Sequence, residues 1–134
     1  MILVDAGPLV ALIHAGDQHH RACRKVAKSL TEPLGTVWPA FTEAMYLLGF
    51  SWKAQDALWK MLEVGFVKLL EINARDSRRM RELMRKYRDL PMDLADAGLV
   101  AVAERLRVFR VFTVDRSDFE VYRSEGKGRF TILP

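Results

Sequence analysis

Hydrophobic positions in this chain fall into short continuous runs separated by longer stretches with helical spacing. The runs Ile2 to Val4, Thr36 to Trp38, Phe66 to Ile72, Arg110 to Val114 and Phe130 to Leu133 have strand length and turn residues at their ends. Between the first two lie a short helical turn from Pro8 to His14 and a helix from an Asp17 cap to Leu30, followed by the loop Thr31 to Gly35. Pro39 starts a helix to about Phe50, and Ser51 caps another from Trp52 to Val64 that Gly65 ends. Asn73 caps a basic helix through Arg88, closed by Leu90-Pro91, and Asp93 begins a helix to Leu106. Strands that alternate with helices form βαβ units, so the expected class is α/β with a central parallel sheet of four to five strands. There is no internal repeat, low-complexity segment or linker, and residues 1–134 are expected to form one domain.

Four acids stand at notable points of this pattern. Asp5 closes the first apolar run and Asp115 the fourth, Asp96 opens the apolar helix, and Glu43 lies in the first turn of the helix that follows Trp38-Pro39. In an open parallel sheet, strand ends and the helix starts after them line one edge, where ligands bind. Acids spread over 110 positions can therefore meet in one pocket. Gathered carboxylates repel, so either their pKa values rise or a divalent cation neutralises them. Each acid also has a plainer reading. Asp5, Asp93 and Asp115 are good helix or turn caps, and Asp96 suits the first turn of a helix through its dipole. Glu43 fits that explanation least, because its helix carries Phe41, Met45, Tyr46, Leu47, Leu48 and Phe50, and a lone carboxylate amid such bulk is costly unless paired.

Other candidates divide into chemistry and packing. His14, His19 and His20 are expected at a helix start, since adjacent histidines on a helix point about 100° apart. The single Cys23 excludes an internal disulfide and reads as a small core residue. The helix after Asn73 sets Met80, Leu83, Met84 and Tyr87 on one stripe and is otherwise basic, with Arg78, Arg81 and Arg85 among its charges. That basic face is either solvated, or a contact for RNA phosphates or an acidic partner. The two helices from Pro39 to Val64 carry more large apolar side chains than one covered face needs, which marks Tyr46, Leu47 and Trp59 as a candidate partner surface.

Composition narrows the classes. Half the residues are hydrophobic and the formal net charge is +4, so disorder is excluded and an acidic pocket on a basic body suits a polyanionic ligand. No run approaches the roughly 18 apolar residues of a membrane span, and the apolar strand at residue 2 leaves no room for a signal segment. A cytoplasmic protein is expected, with no membrane partner.

These residues resemble a PIN domain of the kind found in VapC-like ribonuclease toxins of toxin–antitoxin pairs. The resemblance spans essentially the whole chain. It is carried by Ile2-Leu3-Val4-Asp5-Ala6-Gly7-Pro8-Leu9-Val10, Asp17-Gln18-His19-His20, Thr42-Glu43-Ala44, Met92-Asp93-Leu94-Ala95-Asp96-Ala97, Thr113-Val114-Asp115-Arg116-Ser117-Asp118-Phe119 and the ending from Gly128 to Pro134. Ala6-Gly7 departs from it, because many members carry hydroxyl residues after the first Asp. The resemblance implies a three-layer α/β/α domain with strand order 3-2-1-4-5. It implies Asp5, Glu43, Asp96 and Asp115 as an acidic quartet, with Asp93 and Asp118 at positions where some members add an acid.

The expectation is a metal-dependent endoribonuclease in which Asp5, Asp96 and Asp115 bind one or two Mg²⁺ or Mn²⁺ ions and Glu43 completes the shell or orients water. RNA is the expected substrate. A second copy of the chain and a cognate antitoxin are the partners the resemblance implies. A non-catalytic RNA- or partner-binding module with structural acids is the alternative. A phosphoryl-accepting receiver domain is disfavoured, since it would want clustered acids just after the first strand and a Lys after a late one.

Overall fold

Three consecutive branched apolar residues, Ile2, Leu3 and Val4, are fully shielded from solvent at the centre of a five-stranded parallel sheet. The computed structural model of the protein describes residues 1–90, 92–123 and 128–134, so Pro91, expected to help close the basic helix, lies outside the described residues. The strands are β1 (Ile2–Val4), β2 (Leu34–Thr36), β3 (Val67–Leu69), β4 (Arg110–Phe112) and β5 (Thr131–Leu133). Their order is β3-β2-β1-β4-β5, and each neighbouring pair is parallel. Around them lie α1 (Ala6–Ile13), α2 (His20–Ser29), α3 (Trp38–Leu47), α4 (Trp52–Glu63), α5 (Ala74–Lys86), α6 (Leu94–Leu106) and α7 (Arg116–Val121).

The two-residue period of the strands splits the core into two layers. Leu3 and Val111 face a cluster built on α5 and α6, with Met80, Leu83, Leu99, Val102, Phe119 and Tyr122. Ile2, Val4 and Phe112 face the opposite cluster, with Leu9, Cys23, Phe41, Leu48 and Leu58. Cutting a side chain such as Leu3 back to Ala would cost about 2–5 kcal/mol. The chain passes from β1 outward to β2 and β3, then returns to the other side of β1 for β4 and β5. The switch point therefore lies between β1 and β4, at whose carboxyl ends an open α/β sheet forms its crevice.

Element types follow the hydrophobic pattern, and several boundaries move for identifiable reasons. Trp38 begins α3 instead of ending β2, with Pro39 in the first turn where its missing N–H costs nothing. Gly35 lies inside β2 and not in a loop, because a Cβ there would sit 2.8 Å from Leu70 Cδ1; this glycine serves close approach. Asp17 accepts the His19 N–H at 2.8 Å and caps the turn before α2, which starts at His20. The third strand contracts to three residues and leaves Phe66 exposed. Ser51 caps α4, Gly65 follows it with φ of 77°, and Asn73 and Asp76 form a complete capping box on α5. Among the described residues no helix is long and apolar enough to cross a membrane.

Candidate active site

The end of β1 sets the geometry of the site. Asp5 follows Val4 directly, and its backbone N–H is tied to the carbonyl of Phe112 on β4 at 3.0 Å. Its carboxylate is almost completely buried. Oδ1 accepts the Ala6 N–H at 2.8 Å, capping α1, and Oδ2 accepts the Thr113 hydroxyl at 3.1 Å. The cap reading of Asp5 is thus correct, and the same carboxylate is buried beside the end of β4. Thr113 stands just past β4, and its oxygen accepts the Asp115 N–H at 3.0 Å, so one hydroxyl links the two strand-end acids. Asp115 itself makes no side-chain cap bond to α7, and its side chain is exposed.

Asp96 enters from α6. Asp93 is the N-cap of that helix and accepts the Asp96 N–H at 2.9 Å. The Asp96 carboxylate, 6 % exposed, accepts the Tyr122 hydroxyl at 2.9 Å through Oδ2. Its helix is apolar from Ala97 to Ala103, and residues 95–103 are all buried, which sinks Asp96 into the protein. Small residues permit this: a Cβ on Gly98 would lie 3.3 Å from Val37 Cγ2, beside α3.

Glu43 departs from expectation. It sits in the second turn of α3 and is exposed, as are its neighbours Tyr46, Leu47 and Phe50. Of the apolar bulk that made a carboxylate look costly, Phe41 and Leu48 are buried in the core while Tyr46, Leu47 and Phe50 face solvent with Glu43, so the side chain is not enclosed. Its link to the other acids is electrostatic.

Burial leads at each shifted acid, and the neighbouring charges add to it. Burial, and then the charges of Asp115 and Glu43, push the Asp5 carboxyl up to about 7 against the bonds from Ala6 and Thr113. Burial, and then Asp5 and Asp93, push Asp96 up to about 8. Partial desolvation followed by Asp93 and Asp115 raises Glu43, and partial desolvation followed by Asp115 and Asp93 raises Asp118. All six sequence-expected acids therefore share one field. Among the described residues none of the six forms an ion pair with Lys or Arg.

An unneutralised all-oxygen donor set of this kind fits a hard divalent cation in its chemistry. Its spacing is wider than a closed coordination shell: among the described residues no three His, Cys, Asp or Glu side chains are arranged to hold a metal ion. Thr113 and Tyr122 are site residues that sequence reasoning missed. Thr113 carries a signal, since it lies two residues before Asp115. Tyr122 carries none, because its approach to Asp96 depends on the path of α7.

The remaining candidates lie around this centre. Arg78, Arg81 and Arg85 are exposed on α5 and stand outside the acidic cluster. Tyr46, 81 % exposed, lines a groove of about 650 Å³ with Trp38, Pro39, Thr42, Leu94 and the acids Glu43 and Asp93. A neighbouring hollow of about 360 Å³ is shared by Trp38, Phe41, Tyr46 and Trp59. Leu47 is half exposed nearby on α3. His14 packs its ring at a tilt against Phe50 and His20 bonds the Ala11 carbonyl, which leaves both in packing roles, and Cys23 is buried.

Residues 2–124 match the model of the PIN domain family. The chain belongs to that family. This PIN domain is similar to ribonuclease VapC26 of Mycobacterium tuberculosis, with 28% identity over 135 residues, 99% of this chain and 100% of the relative. Its fold matches the M. tuberculosis VapC20 structure, described as a sarcin–ricin loop cleaving toxin, with TM-score 0.79 and 21% identity over 88% of this chain and 94% of that one. A toxin–antitoxin complex from Klebsiella pneumoniae matches with TM-score 0.73 and 16% identity over 100% of this chain and 97% of that one. VapBC2 of Rickettsia felis, bound to a DNA fragment from its promoter, matches with TM-score 0.66 and 13% identity over the full length of both chains. The strand order expected from the resemblance is the order observed.

Proposed function

We propose that this PIN domain is a metal-dependent endoribonuclease that hydrolyses RNA phosphodiester bonds as the toxin of a toxin–antitoxin pair. The observation that carries the reading is the shared field of Asp5, Glu43, Asp96 and Asp115 beside the switch point, where none of the four is ion-paired with Lys or Arg among the described residues. The similarity to ribonuclease VapC26 supports it.

Asp5, Asp96 and Asp115 would hold one or two Mg²⁺ or Mn²⁺ ions, with Asp93 and Asp118 as accessory acids. Such an ion supplies Lewis acidity at the phosphodiester and makes nearby water more acidic. The chain's own groups do the rest. Thr113 fixes the Asp5 carboxylate, and the exposed Asp115 makes no cap bond that would occupy its carboxylate. Glu43, which lines the groove, would orient the attacking water, whose oxygen bonds to phosphorus as the P–O bond to the leaving oxygen breaks and whose proton ends on that leaving oxygen.

Substrate and partners follow from the surroundings. Arg78, Arg81 and Arg85, at i, i+3 and i+7 on an exposed helix face, suit successive backbone phosphates. The carboxyl end of α5 abuts the site through Tyr87, whose ring packs on Tyr122. Exposed Tyr46, Leu47 and Trp59 suit a second copy of the chain and an antitoxin segment laid along the groove that ends at Glu43 and Asp93. Cytoplasmic action as one domain, residues 1–134, completes the reading. Its test is Mn²⁺-dependent cleavage of RNA by the purified protein, lost on adding a chelator and regained with excess Mn²⁺.

A further inference from the structure

Tyr122 is among the largest fully buried side chains, yet its hydroxyl points at an acid rather than at water. Its ring is wedged edge-on between Phe119, with centroids 5.3 Å apart, and Tyr87, 5.1 Å away. The Tyr87 hydroxyl accepts the Arg123 N–H at 2.9 Å, which pins the backbone immediately after Tyr122. The phenol is therefore held from both sides before any ligand arrives. Packing does not require it, because a phenylalanine would fill the same space without bringing a polar atom into the core. The α6 terminus does not require it either, since Asp93 already caps the Asp96 N–H. What the hydroxyl reaches is Oδ2 of Asp96. Thr113 does the same for Oδ2 of Asp5. One ten-residue stretch, Thr113 to Tyr122, thus carries two hydroxyls that grip the two most buried acids of the site, together with Asp115 and Asp118.

We propose that Tyr122 is a positioning residue that fixes the Asp96 carboxylate for divalent-cation binding, acting through its hydroxyl and not through its ring. The inference rests on the cation-site reading of the acidic cluster. Groups behind a metal ligand orient it, and their loss commonly weakens binding about 10- to 100-fold.

The probe is Mn²⁺ alone, titrated into the RNA-free protein by calorimetry or electron paramagnetic resonance. Tyr122→Phe keeps the ring and should weaken Mn²⁺ binding about 10-fold or more at unchanged circular dichroism. Phe119→Leu disturbs the same ring cluster without touching the hydroxyl. It should lower the melting temperature and leave Mn²⁺ affinity within about twofold of wild type. Equal Mn²⁺ affinity in wild type and Tyr122→Phe would overturn the proposal while leaving the cation site standing. Equal weakening by Phe119→Leu would overturn it too, since packing would then explain the loss. A wild type that binds no Mn²⁺ overturns both. A measurement on wild type alone needs no variant to fold: in a Mg²⁺ titration the Tyr122 ring-carbon resonance should shift with the binding isotherm. A resonance unmoved at saturating Mg²⁺ would contradict the role.

Discussion

Thr113 donates its hydroxyl to Oδ2 of Asp5 at 3.1 Å across the seam between β1 and β4. The Thr113 hydroxyl oxygen in turn accepts the Asp115 N–H, so one threonine links the two acids. Thr113→Val keeps the shape and removes the donor, which leaves a buried carboxylate with one protein bond fewer. The expected outcome is a loss of roughly 10- to 100-fold in RNA cleavage with KM little changed. A stability loss of about 1–3 kcal/mol in urea unfolding should accompany it. Cleavage within twofold of wild type would remove Thr113 from the site.

The raised acids fix the sign of the pH dependence. Asp5 and Asp96 have ordinary values of 3.8 and stand at about 7 and about 8 in the folded protein. Between those limits the folded state binds more protons than the unfolded state, so metal-free stability is full below about pH 4 and falls as pH rises toward 8. Removing a neighbouring charge should relieve this. Asp115→Asn is expected to raise the metal-free melting temperature at pH 7.5 by about 2–6 °C. A decrease of that size would return Asp115 to a structural cap.

Cation binding should oppose the same repulsion. Millimolar Mg²⁺ or Mn²⁺ is expected to raise the melting temperature, by more at pH 8 than at pH 5.5, where protons already occupy Asp5 and Asp96. The check is a pair of melting curves at the two pH values with matched ionic strength. A shift that is equal at both would point to binding elsewhere.

The α5 arginines make a separable prediction. Arg81→Glu with Arg85→Glu should raise KM for RNA and flatten the dependence of log KM on log salt by about 1–2. The kcat should be retained, because neither side chain touches the acids. An unaltered salt slope would leave the basic face merely solvated.

Much of this was legible in the sequence, for physical reasons. Buried strands announce themselves as apolar runs, and caps such as Ser51 and Asn73 mark helix starts by chemistry the helix itself requires. Asp5, Asp96 and Asp115 were readable because strand ends and helix starts are places the pattern defines. Glu43 was harder, since helix spacing alone does not say which face α3 covers, and that face proved open. Gly35 misled because a glycine in a strand looks like a break until the neighbouring Leu70 is seen against it. Tyr122 left no trace, since its bond to Asp96 arises from how two distant segments fold together.

The central claim is that the buried acids at the switch point cut RNA, and Asp5→Asn tests it most directly. The variant keeps the size of the side chain and an oxygen able to accept the Ala6 N–H. Mn²⁺-dependent cleavage of a labelled RNA should fall by roughly 100-fold or more, with circular dichroism unchanged and a metal-free melting temperature no lower than wild type. An Asp5→Asn protein that cleaves at the wild-type rate would contradict the assignment of the site.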